Sequence, residues 1–211
     1  MANPLLFKSG VATLSVGSAG VVGWQISNYL NPEEKTVSYL SKQKRERASS
    51  PDDWQKIKTF YGSAESSELI PNLPKEKIQE EDVKKWCNTE LNKPLKEQTQ
   101  DNLKLVETWC AKPRTLKEQI TALNKTVLDV DTTHDTNPHK SKWDSNKEAY
   151  KASGNKFKIK KKETSNNSWV DFEVGSITVD IMKAWCKDKV DKQYKHSEDS
   201  LFNTYQNWCS Q

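Results

Sequence analysis

The sequence predicts a mainly α-helical protein: an N-terminal transmembrane helix followed by two related small helical modules, each with an antiparallel helical hairpin. Three observations predict it. A charge-free run lies near the N-terminus. The dipeptides Trp86-Cys87 and Trp109-Cys110 recur as Trp185-Cys186 and Trp208-Cys209 with the same gap of 23 residues. Apolar residues around them recur at steps of three or four, the period of a helix with one buried face.

The membrane segment comes first in chain order. Residues 9–28 carry no charged side chain, and about 20 helical residues cross the hydrocarbon core of a bilayer. Trp24 and Tyr29 stand at its C-terminal end, where aromatic rings favour the membrane interface. Ala19 and Gly23 are a small-xxx-small pair of the kind that lets helices approach. An uncleaved anchor is expected ahead of two alternatives, a signal peptide cut after Ala19 and a buried soluble helix. Two signals oppose each other on orientation. Lys8 alone precedes the span while Lys35, Lys42, Lys44, Arg45 and Arg47 follow it, which by the positive-inside rule favours a cytoplasmic C-terminal side. Export of a long polar remainder with four cysteines favours the outside. The expectation is a single-pass cell-membrane protein with an extracellular C-terminal region. By composition, 1–30 is the anchor or signal, 31–53 a charged stalk, 54–125 the first module, 126–142 a linker and 143–211 the second module.

The body is duplicated. At an offset of 99, Leu91 meets Val190, Leu95 meets Tyr194, Leu103 meets Phe202 and Val106 meets Tyr205 between the coincident Trp-Cys pairs. Upstream, Trp54 and Tyr61 are echoed by Trp143 and Tyr150, again seven residues apart. Repetition with apolar character kept and identity lost is what copying of a fold leaves behind. The second copy carries a longer lysine-rich insert at 151–176, in which "SWVDFEV" suits either a short strand or a helix start.

Within each copy the pattern is helix, polar turn, helix. Pro94 limits the first arm, "EQTQDN" reads as the turn with Asp101 as a candidate N-cap, and "KHSEDS" takes its place in the second copy. A turn near residues 98 and 99 leaves each Trp-Cys about eleven residues from it. Antiparallel arms of equal length then bring Cys87 level with Cys110, and Cys186 level with Cys209. Local pairing is expected, although four cysteines allow three connectivities and four reduced, buried thiols are an alternative. Each bridge would close a loop of about 24 residues, worth roughly 3 kcal/mol in the chain-entropy model. Such help matters because only 34% of the residues are apolar and 29% are charged, so the core is thin and leans on a few of the eight tryptophans.

The Gly/Ser/Ala-rich N-terminal segment, "TVSYLSKQ", Trp54 with Tyr61, "EDVKKWC", "LVETWC" and "KPRTLKEQI" together resemble a known group. The chain is similar to the paralogous Trp-Cys repeat proteins of haemotropic mycoplasmas. The resemblance covers most of the chain and is weakest over 151–176. It implies a membrane-anchored or exported protein in contact with a host surface or under antigenic diversification, with no catalytic residue assigned.

Candidate chemistry is sparse. His134, Asp135 and His139 in "HDTNPH" could approach a metal, but Asn, Pro and Thr beside them favour a plain turn. His196 lies in the second hairpin turn without an evident partner. "DDW" at 52–54 and "LDVD" at 128–131 supply carboxylates without hydrolase-like spacing. No P-loop, dinucleotide fingerprint, nucleophile elbow or HExxH occurs. No metal, cofactor or enzymatic activity is expected. The cysteines are too far apart in sequence for the close pairs that structural zinc prefers. Lys156, Lys158, Lys160, Lys161 and Lys162 could bind anions, against the alternative of a solvated loop. A net charge of +4 is too mild for a dedicated nucleic-acid binder, so no nucleic acid is expected. The leading expectation is a non-catalytic anchored surface protein whose partners are the membrane, through 9–28, and a host-surface protein or glycan. The alternatives are a cytoplasm-facing tethered scaffold and an anion-binding module.

Overall fold

Short polar side chains start most of the helices. In the computed structural model, which describes residues 34–152, 154–162 and 169–211, Ser50 caps α2 (Pro51–Gly62). Its hydroxyl accepts from the Asp53 amide while the Asp53 carboxylate accepts from the Ser50 amide, and Pro51 occupies the first turn. Thr115 makes the same reciprocal pair with Glu118 before α5 (Leu116–Ala122). Thr99 caps α4 (Gln100–Trp109) through the Asn102 amide. Asp101, the candidate cap, instead sits in the first turn and pairs with Lys104 at 3.2 Å, because Thr99 is already in place three residues before Asn102. Asp199 and Thr178 cap α8 (Ser200–Cys209) and α7 (Val179–Lys189).

The described chain is mainly helical, completed by α1 (Val37–Lys42), α3 (Glu80–Asn92) and α6 (Lys140–Lys151). Two strands, β1 (Lys160–Lys162) and β2 (Trp169–Asp171), pair antiparallel with Lys161 opposite Val170. "SWVDFEV" therefore supplies a strand. The expected membrane segment at 9–28 lies outside the described residues. Among the described residues no helix is long and apolar enough to cross a membrane.

Buried apolar side chains form two clusters, one running from Tyr39 to Ala111 and one from Leu116 to Cys209. Matching backbone hydrogen bonds align the two segments they occupy. Leu95 N–H donates to the Glu34 carbonyl and Tyr194 N–H to Arg114; Ala48 N–H donates to Cys110 and Leu128 N–H to Cys209. Lys44 and Asn124 both take positive φ, 56° and 59°, and the next residue in each case closes back onto Leu40 or Ile120. The repeating unit thus begins near residue 34 and again near 114. Residues 34–48, read from their charge as stalk, contribute buried Tyr39, Leu40 and Ala48 to the first core. Leu116 and Ile120, grouped by sequence with the first module, pack in the second. Leu128, in the expected linker, is buried there too.

The second unit is longer at two places, and both insertions leave the frame untouched. One is a loop after Leu128, where the offset between equivalent positions rises from 80 to 89. The other is the β1–β2 hairpin. In the first unit Leu73 N–H donates to the Ile70 carbonyl at 3.1 Å across Pro71 and Asn72, with Asn72 at φ 65°. In the second, Phe172 N–H donates to the Ile159 carbonyl at 2.8 Å. A tight turn has been replaced by a strand pair on the same closing hydrogen bond.

Candidate functional site

The sequence singled out three sets of residues, and the structure gives each a distinct place. The first is the aromatic and cysteine set. Cys87 and Cys110 form one disulfide and Cys186 and Cys209 another, with Cα–Cα distances of 5.3 and 5.7 Å and all four residues buried. Each bridge joins the two arms of a hairpin, α3 to α4 and α7 to α8. Trp109 packs on Tyr61 with ring centroids 4.8 Å apart, and Trp208 on Tyr150 at 5.5 Å. The Trp109 indole N–H donates to the Glu68 carbonyl at 2.7 Å and that of Trp208 to Phe157 at 2.6 Å. The Tyr61 hydroxyl accepts from the Ile70 amide and donates to the Leu73 carbonyl, at 2.9 and 2.7 Å. The Tyr150 hydroxyl does the same with Ile159 and Phe172 at 3.2 and 3.3 Å. Each phenol therefore satisfies two backbone groups of the connecting loop, a structural use of a polar tip on an apolar ring. Trp54, Trp143 and Trp185 are buried and Trp86 is half-buried against the first core.

The second is the histidine loop, which is the first insertion. Asp129 organises it: its carboxylate accepts from the Thr132 hydroxyl and from the Thr132 and Asp131 amides, which hold its pKa down to about 2. His139 Nδ1 accepts from the Asp129 amide at 2.9 Å, whereas His134 Nε2 faces Asp144 at 3.1 Å. Asp135 pairs with Lys140 at 2.8 Å. The three side chains have three separate partners and do not converge. Among the described residues no group of three His, Cys, Asp or Glu side chains gathers as a metal ion would require.

The third is the lysine run. Lys156, Lys158 and Lys160 line an open groove of about 460 Å³ together with Lys189, Trp185, Ser200, Leu201, Thr204 and the carboxylate of Asp171. Lys161 leaves this set; its ammonium lies 5.3 Å from the Phe172 ring centroid. Lys162 ends β1, and its side chain lies outside the described residues. Ile159, between Lys158 and Lys160, is fully buried, so the core and the groove take neighbouring residues of this segment.

A fourth set went unread in the sequence. Glu107 on α4 is fully buried where the two units meet. It accepts from the hydroxyl of Tyr39 at 3.2 Å, from the hydroxyl of Tyr194, and from the amide and hydroxyl of Ser197 at 3.2 and 3.3 Å. Burial pushes its carboxyl above the ordinary range, against the pull of these donors and of nearby Arg45. The buried Arg45 guanidinium lies 4.7 Å from the Tyr194 ring centroid and donates to the Lys112 carbonyl at 2.9 Å. Lys104 with Glu198, Lys195 with Glu68, and Arg114 with Glu46 pair across the rim at 2.9, 2.5 and 3.1 Å. His196 lies beside this rim, and burial lowers its pKa. The available signal was Glu107 at a helix position flanked by Leu103, Val106 and Cys110, where the apolar period calls for a buried side chain.

No protein-family model matches this chain, and no curated protein or solved structure matches it.

Proposed function

We propose that this is a non-catalytic, membrane-anchored binding protein whose disulfide-clipped double module is displayed outside the reducing compartment. The observation that carries the reading is the pair of buried disulfides at equivalent positions of the two units. Structural disulfides persist in oxidising surroundings and are rare where thiol reductants are abundant. The charge-free run at 9–28 would supply the anchor as a transmembrane helix, and the modules would then present polar faces to a partner at the host surface. Tryptic shaving of intact cells followed by peptide mass spectrometry tests this. Release of peptides from 34–211 is expected; protection of that whole region until lysis would move it to the cytoplasm, as a tethered scaffold. A second reading, an anion-binding module, is favoured by the lysine-lined groove of the second unit.

A further inference from the structure

We infer that the groove between the β1–β2 hairpin and helices α7 and α8 binds a linear sulfated glycan. The inference deepens the anion-binding reading. Its choice of a glycan over a nucleic acid rests on display outside the cell.

The internal duplication supplies the control. The segments that follow Tyr61 and Tyr150 are anchored alike: in each, one tryptophan indole and one tyrosine hydroxyl bond equivalent backbone groups, at Glu68 and Ile70 in the first and at Phe157 and Ile159 in the second. What the frame requires sits at Phe157 and Ile159, matched by Glu68 and Ile70. The alternate positions 156, 158 and 160 are all lysine in the second unit, whereas 67, 69 and 71 are Ser, Leu and Pro in the first. Across the groove, Lys189 stands where the first unit has buried Glu90. The shared anchoring contacts are therefore made without these cations, so those contacts do not account for them.

Their arrangement describes the ligand. Lys156, Lys158 and Lys160 stand at alternate positions of a segment whose greatest reach is about 14 Å, so they offer a row of cations rather than a cradle built for one small anion. The apolar floor is Trp185 and Leu201, with Ser200 and Thr204 beside them. A ring face can lie on the apolar floor and sugar hydroxyls can bond the two side-chain hydroxyls, while sulfates meet the row of lysines. The groove also contains the Asp171 carboxylate, Lys189 pairs with Asp188 at 2.6 Å, and the Lys158 ammonium lies 5.5 Å from the Tyr150 ring centroid. Asp171 opposes the anion, so its neutralisation strengthens binding.

The test is isothermal titration of the oxidised full-length protein in detergent with a heparin hexasaccharide, its desulfated counterpart and a single-stranded oligonucleotide. The expected result is binding of the sulfated sugar alone, weakening roughly 20-fold between 50 and 200 mM salt, as three released counterions imply. K156Q/K158Q/K160Q should abolish it and D171N should tighten it, with both disulfides retained. Undiminished binding by the triple variant, or no binding by the wild type, overturns the site. Lysine-dependent binding of the oligonucleotide at equal strength overturns the ligand class. Because titration does not depend on where the protein resides, its outcome is separable from that of the shaving experiment.

Discussion

The Glu107 carboxylate on α4 of the first unit accepts the phenolic hydrogen of Tyr194 in the second, and both residues are buried. The duplicated frame itself is symmetric, whereas this contact is not. By the alignment, Glu107 corresponds to Gln206 and Tyr194 to Leu95, so each partner exists in one copy only. A buried carboxylate is costly without donors, and here four donors and a nearby guanidinium surround it.

Removing that acceptor is therefore predicted to be severe. Glu107→Ala would orphan the Tyr39 and Tyr194 hydroxyls and leave Arg45 buried without its counter-charge, costing about 3 kcal/mol. Glu107→Gln keeps an acceptor and removes a buried charge, so its loss should be smaller. Urea unfolding of the three proteins checks the order. An Ala variant as stable as wild type would remove the seam from the account.

The tyrosine hydroxyls make a paired prediction. Tyr61→Phe and Tyr150→Phe each leave one amide and one carbonyl without the phenol that now serves both. Each should cost about 2 kcal/mol while leaving the aromatic packing intact. Similar losses in the two variants would support equivalent roles; a loss in one alone would break the equivalence.

The hairpin should be dispensable to folding. Replacing 160–171 by Pro-Asn restores the tight turn of the first unit between Ile159 and Phe172, so far-ultraviolet circular dichroism of the rest should be unchanged and thermal unfolding should remain cooperative. Loss of cooperativity would mean that the strands are part of the core.

His196 gives the pH dependence. Burial depresses its pKa, and its Nδ1 is buried with no hydrogen-bond partner among the described residues. The unfolded chain then binds the proton more readily, near an ordinary pKa of about 6.5. The histidine's contribution is present above that pH and is lost as pH falls through the lower folded value. Relative to wild type, His196→Gln should flatten the stability profile below pH 6.5, measured by chemical unfolding at stepped pH. An unchanged profile would show that the imidazole is as free to protonate when folded as when unfolded.

Much of this architecture was legible because dipeptides and spacing survive duplication. Trp-Cys at a fixed gap located both hairpins, and the apolar period oriented them. The start of the unit was hidden because α1 and α5 are short: "VSYLSK" and "LKEQITA" contain no periodic stretch long enough to align. Residues 35–47 looked like a stalk because their lysines and arginines outweigh Tyr39 and Leu40, which do the packing. The groove was half legible. The lysines stood out, but which of them face Trp185 and Leu201 depends on strand phase and on a tertiary contact with α7 and α8. Glu107 gave only the weak sign of a charge on an apolar face, since its partners lie up to 90 residues away.

A non-reducing peptide map of protein isolated from alkylated cells most directly tests the central claim of two copies, each closed by its own bridge. The account predicts two crosslinked species, one joining Cys87 to Cys110 and the other Cys186 to Cys209, with no alkylated cysteine. Four alkylated thiols, or a bond between a cysteine of the first unit and one of the second, would contradict it.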